Sequence, residues 1–206
     1  MIAAAGFPLT IDTLGNIVLA GSLADGTSLS QTSAVSMEGV WPLYVPLYGG
    51  TGSLWSWNYF SNRAILSATN ASWINTSNSS KTAPYRAGFT NEGVSVVGSW
   101  YDPKKNPLLA LTNGQVTLDG GSVPAITNQI TLASNDTITL TSSAENTNQL
   151  TLKINKSTGG IAGTFVNPSN TKQTLKISGV LLQNETSATG YFLGTNLSGT
   201  FRLSPP

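Results

Sequence analysis

The stretch Thr137-Ile138-Thr139-Leu140-Thr141 decides the fold. Apolar and polar residues alternate one by one, so the apolar pair points to one side of an extended chain and the threonines point to the other. The pattern recurs at Leu150-Thr151-Leu152-Lys153-Ile154 and at Thr174-Leu175-Lys176-Ile177. One dry face and one wet face mark antiparallel sheet; parallel strands would be apolar on both faces and separated by helices. No stretch carries the 3.6-residue period of an amphipathic helix.

Turn signals punctuate these runs: Leu14-Gly15-Asn16, Asp25-Gly26, Tyr48-Gly49-Gly50, Asn113-Gly114, Asp119-Gly120-Gly121 and Thr158-Gly159-Gly160. Asn-Gly and Asp-Gly favour tight hairpins because both central residues need positive φ. The spacing predicts about fourteen short strands, more than one flat sheet holds, so the sheet must curl, close or stack. The expected fold class is all-β and antiparallel, with a closed or nearly closed barrel preferred and a sandwich as the alternative. Residues 1–206 read as one β domain. A soft division falls at Asp102-Pro103-Lys104-Lys105-Asn106-Pro107, whose prolines cannot donate ladder hydrogen bonds. The Asn/Ser-rich stretch from Asn70 to Pro84 reads as a long exposed loop. Leu9 to Leu23 and Leu152 to Phe165 echo one another, and the two strand sets are expected to pair and close the barrel.

Composition narrows the chemistry. The 206 residues include no cysteine and no histidine. Disulfides, thiolate and histidine metal sites, and Ser-His or Cys-His catalysis are therefore excluded. Charged residues make up 9% of the chain, against roughly 25% in an ordinary domain. Ser, Thr and Asn fill about a third of it, which suits a secreted or cell-surface setting. The ten Lys and Arg are scattered, and nucleic-acid binding needs them clustered. No apolar run approaches the ~18 residues of a spanning helix, and no polybasic run marks a membrane surface. No cofactor, metal or catalytic residue is expected. Nine acids remain, and a glycosidase needs two at a set separation. Asp25, Asp102 and Asp119 sit in turn-like strings that explain them. Glu92 is the acid to inspect first, with a turn role or pairing with Arg86 as its plain reading. Asn135-Asp136 is too sparse for a calcium loop.

Two aromatic stretches carry the candidate binding residues. In Ser53-Leu54-Trp55-Ser56-Trp57-Asn58-Tyr59-Phe60, alternation sets Trp55, Trp57 and Tyr59 on one face about 7 Å apart. Rings at that pitch can stack on the C–H faces of sugars. Ser56 and Asn58 occupy the other face, so the row is the more apolar one, and burial in the core is its expected fate. In Trp41-Pro42-Leu43-Tyr44-Val45-Pro46-Leu47-Tyr48, Trp41, Leu43, Val45 and Leu47 share one face, and Pro42, Tyr44, Pro46 and Tyr48 share the other. Alternate prolines make this an edge or bulged strand. Tyr44 and Tyr48 are then either bystanders of an edge that blocks pairing or part of a partner surface.

Several strings together resemble an uncharacterised β-rich module found near the C-terminus of very large secreted bacterial proteins. They are Ser22-Leu23-Ala24-Asp25-Gly26-Thr27, Trp41 to Tyr48, Gly52-Ser53-Leu54, Ser72-Trp73-Ile74, Ala87-Gly88-Phe89-Thr90-Asn91-Glu92 and Gly190-Tyr191-Phe192-Leu193-Gly194-Thr195-Asn196. The pattern departs at Asn75, where Lys-Pro is usual, and at Arg86, where Pro is usual. The resemblance implies secretion, neighbouring domains in a larger parent, and no assigned activity. The expectation is a non-catalytic structural or adhesive module. Its alternative is a carbohydrate-binding module, with polysaccharide or another surface protein as partner; a carboxylate glycosidase comes third.

Overall fold

The computed structural model describes residues 6–61, 64–67, 71–76, 85, 87–141 and 147–206. It is all-β, with seventeen strands and two short 3-10 turns among the described residues. Every pairing is antiparallel.

The N-terminal half forms two sheets. β1 (Leu9–Ile11), β2 (Asn16–Ser22) and β3 (Ser28–Ala34) make a three-stranded meander. β4 (Val40–Leu47) and β5 (Gly52–Ser61) form a long hairpin, extended by β6 (Ala64–Ser67), β7 (Ala71–Asn75), β8 (Phe89–Val94) and β9 (Val97–Ser99) in the order β8-β7-β5-β6-β9. Ile17, Leu19 and Leu29 of the meander pack with Trp41, Leu43, Val45, Leu47, Leu54 and Trp73 of the six-stranded sheet in one core. β7 corrects the loop expected from Asn70 to Pro84: Ala71–Asn75 is a strand, with Ala71, Ser72, Trp73 and Asn75 buried. Residues 77–84 lie outside those described.

The C-terminal half forms a nearly closed, barrel-like sheet of eight strands. β10 (Asn113–Gly120), β11 (Val123–Leu132), β12 (Ile138–Leu140), β13 (Thr151–Asn155), β14 (Gly160–Asn167), β15 (Asn170–Leu182), β16 (Ser187–Leu193) and β17 (Ser198–Ser204) run in the order β12-β11-β10-β17-β16-β15-β14-β13. The three alternating stretches behave as read, with Leu150, Ile154, Leu175 and Ile177 in the core. Phe165, Phe192 and Phe201 are fully buried at its centre. Gly199 is required here, because a Cβ would collide with the Phe192 ring. Asn113-Gly114 is not a turn but the start of β10. Gly114 serves packing instead, since a Cβ would press on Leu111 and on the Ser204 carbonyl.

The two echoing strand sets do not pair: one is the separate meander, the other belongs to the barrel. Side chains close the barrel where no ladder joins β12 to β13. At one end of the gap, the buried amides of Asn128 and Asn148 exchange two hydrogen bonds of 3.2 Å. The Asn148 carbonyl also accepts the Val166 N–H of β14 at 2.7 Å. At the other end, Lys156 Nζ donates to Asn135 O at 2.6 Å and to Asp136 Oδ2 at 2.8 Å.

Asp136 Oδ1 accepts the N–H of Leu108. This pins the soft stretch found at 102–107, which leads from the six-stranded sheet into the barrel. Gln183 grips the same stretch through the Asp102 N–H and carbonyl. The two cores meet at β16, whose Tyr191 packs in the N-terminal core while Phe192 packs in the barrel.

A buried amide stripped of a partner costs roughly 1–3 kcal/mol. Asn148→Ala should lower stability by that amount in urea denaturation. Lys176→Ala, on the exposed barrel face, should stay within about 0.5 kcal/mol.

Candidate functional site

The β4–β5 hairpin decides which side chains reach solvent. Its register pairs Leu43 with Ser56, Trp41 with Asn58 and Val45 with Leu54 on the inner face. It pairs Tyr44 with Trp55, Pro42 with Trp57 and Val40 with Tyr59 on the outer face. Burying the row Trp41, Leu43, Val45 and Leu47 therefore turns the β5 aromatics outward.

The core placement expected for Trp55, Trp57 and Tyr59 is thus reversed. Their exposures are 41%, 56% and 43%, and that of Tyr44 is 60%. The side of β5 that enters the core holds Leu54, Ser56 and Asn58. Ser56 Oγ donates to Asn58 Oδ1 at 3.2 Å, while Asn58 Nδ2 has no partner. Judged on β5 alone, the apolar face should be the buried one; the apolar row of β4 outweighs it.

The alternate prolines fit the position of β4, which among the described residues pairs with β5 alone. On its free side the Gln31 side chain donates to the Pro42 carbonyl at 3.2 Å. The result is an open face with three rings along β5 and a fourth across from Trp55. Cross-strand neighbours of this kind lie about 5 Å apart at Cβ. Among the described residues, the outward positions of β4 and β5 carry no charged side chain.

Tyr48 does not join this face. Its hydroxyl donates to Asp25 Oδ2 at 2.5 Å and accepts from Trp73 Nε1 at 2.9 Å. Asp25 Oδ1 also accepts the Thr27 N–H. One phenol so ties the β2–β3 turn, the β4–β5 turn and β7 together, and Asp25 does more than shape its own turn. Tyr48 itself sits at φ 56°, the left-handed backbone that a side chain adopts only when its surroundings hold it there. Burial, then the Asp25 carboxylate, push its ionisation well above the ordinary 10.0.

The other acids among the described residues are in structural use or exposed. Asp12 accepts from the Asn16 side chain, then from the N–H groups of Asn16 and Leu14, which hold its carboxyl below the usual range. Asp102 and Asp119 cap their own turns. Asp136 is the buried carboxylate that closes the barrel, a role that the bare Asn135-Asp136 string did not signal. Glu92 is exposed on β8, and Arg86 lies outside the described residues. No group of three potential metal ligands occurs among the described residues.

Two hollows lie elsewhere. One of about 630 Å³ runs between Gly6, Pro8, Gly21 and Ser22 and the outer surface of β13–β15, with Lys153 and Lys156 at its wall. The other, about 390 Å³, lies beside Lys104, Lys105 and Asp136. Neither includes the aromatic row.

Two outcomes follow from this geometry. Trp57→Ala should change stability by less than about 1 kcal/mol, whereas Trp41→Ala should cost about 3–5 kcal/mol, both read from urea midpoints. For Tyr48 the raised ionisation sets the sign. The hydroxyl's contribution is fully present below pH 10 and is lost above it, as the unfolded chain ionises while the folded one resists. Wild type should therefore lose stability more steeply than Tyr48→Phe between pH 10 and the onset of alkaline unfolding; equal slopes would contradict the network. Comparison with family models, with characterised proteins and with solved structures returned no match, so the reading of the aromatic face stands on its geometry.

Proposed function

We propose that the chain is a non-catalytic adhesive module of a secreted or cell-surface protein, and that it attaches through the open face of the six-stranded sheet. The observation that carries this is the outward row Trp55, Trp57 and Tyr59 with Tyr44 beside it, about half exposed on the paired strands β4 and β5. Large aromatics left together on a surface mark interaction sites more often than chance. Tyr and Trp offer much contact area for little loss of side-chain freedom. The acids support the non-catalytic part: all five aspartates are held in turns, in the barrel closure or by Tyr48. The low charge and high Ser, Thr and Asn content support an extracytoplasmic setting, where neighbouring domains of a larger parent would present the face.

The test is retention of protein-coated beads on immobilised polysaccharides, matrix proteins and bacterial envelopes. Wild type should hold to at least one of these surfaces. Trp57→Ala combined with Tyr44→Ala should cut retention about tenfold, a loss of roughly 1.4 kcal/mol. Trp100→Ala, which removes an exposed indole outside the face, should change nothing. Equal retention of wild type and the double variant would refute the reading.

A further inference from the structure

The open aromatic face also restricts what can sit on it. We infer that its occupant is a single neutral polysaccharide chain lying along β5. This rests on the attachment role argued above and names the ligand class.

Size comes first. Rings of about 150–250 Å² each, at the observed exposures, offer about 300–500 Å² of apolar contact. Spread along one strand and its neighbour, that area suits a narrow, linear ligand.

Shape agrees. Trp55, Trp57 and Tyr59 form one file along a single strand, spanning about 14 Å. Beside it, across the β4–β5 register, run Val40, Pro42, Tyr44 and Pro46. The strip is long and two strands wide, with its rings in file along β5. A short run of sugar units, each with an apolar C–H face, matches that outline; an apolar side-chain cluster of a protein partner does not.

Charge agrees too. The outward positions of β4 and β5 carry Val40, Pro42, Tyr44, Pro46, Ser53, Trp55, Trp57, Tyr59 and Ser61, without a cation or an acid. On these two strands, among the described residues, an anionic glycan or an acidic peptide finds no counter-charge. Indole N–H and phenol O–H groups at the ring edges remain to pair with hydroxyls: among the described residues no hydrogen bond engages the polar atoms of Tyr44, Trp55, Trp57 or Tyr59, whereas the buried indoles Trp41 and Trp73 both donate.

Strands twist to the right along their length, so successive rings fan out instead of lying in one plane. A flexible chain can follow the fan. The flat surface of a crystalline polysaccharide touches only part of it. Soluble single chains are therefore the preferred form.

Fluorescence titration and calorimetry of the full chain test this against soluble hydroxyethylcellulose, galactomannan and xylan, with polygalacturonate and crystalline cellulose as comparisons. At least one neutral soluble glycan should shift the tryptophan emission and protect it from acrylamide. Trp57→Ala and Tyr44→Ala should each weaken that binding about tenfold or more, and Trp100→Ala should leave it unchanged. The anionic and crystalline polymers should bind more weakly. The inference is overturned if no neutral glycan binds, if polygalacturonate binds best, or if Trp57→Ala makes no difference. The bead assay separates the two failures. Retention that depends on Trp57 and Tyr44, yet is not competed by any neutral glycan, sinks the ligand class and leaves the attachment role standing. Retention indifferent to both residues sinks the role itself.

Discussion

The pairing of Trp41 with Asn58 across the β4–β5 hairpin sets the direction of every side chain on those two strands. A strand has two faces, and a paired strand cannot choose between them independently of its neighbour. β4 has four large apolar residues on one side and two prolines with a tyrosine on the other, so its choice is strongly biased. β5 has aromatics on one side and Leu54, Ser56 and Asn58 on the other. Once paired, the two must bury matching faces, and β4 prevails. Ser56 and Asn58 leave room beside the fully buried Trp41 indole, and Asn58 keeps one amide hydrogen-bonding group unmet. That unmet group costs free energy, which measures how firmly the β4 row holds the register.

The barrel obeys a different constraint. A sheet of eight strands that does not complete its ladder leaves two edges, β12 and β13, with unpaired backbone groups. Here Asn148 stands against both sides, β11 through its side chain and β14 through its carbonyl. The opposite end is held by Asp136, whose carboxylate gathers the Lys156 ammonium and the Leu108 N–H. Because Leu108 begins the barrel core, the same carboxylate also anchors the chain arriving from the six-stranded sheet. The Lys156 side chain is 55% exposed and that of Asp136 only 2%, so the pair works chiefly by satisfying a buried acceptor rather than by net attraction.

The all-β class was legible because alternation is a local property: Ile138, Leu140, Leu150, Ile154, Leu175 and Ile177 each declare a face without reference to a partner. What was hidden depends on contacts distant in sequence. The face of β5 was unreadable from β5, since only its register with β4 decides it. Ala71–Asn75 looked like loop because its strand is buried through Ala, Ser and Asn as well as Trp73, and small polar residues carry no period. Asn113-Gly114 read as a turn because the dipeptide favours one, yet Gly114 is there to let Leu111 and β17 approach. Asp136 gave no signal because its partners stand 20 and 28 residues away. The candidate rings themselves were visible as a row; their exposure was not.

Aromatic residues on an exposed strand need no ligand to explain them in principle, because they are good strand formers and pair well across a sheet. The barrel shows how this chain handles an exposed face when only strand stability is at stake. There it places threonines opposite one another, Thr131 with Thr139 at 2.6 Å and Thr151 with Thr164 at 2.9 Å, with lysines between. Such pairs supply cross-strand stability and solubility together. The six-stranded sheet faces the same physical problem and carries Tyr44, Trp55, Trp57 and Tyr59 instead. Strand propensity is common to both solutions and so cannot account for the difference between them. What distinguishes the aromatic face is the apolar area it offers to solvent, and the proposed attachment role rests on that difference.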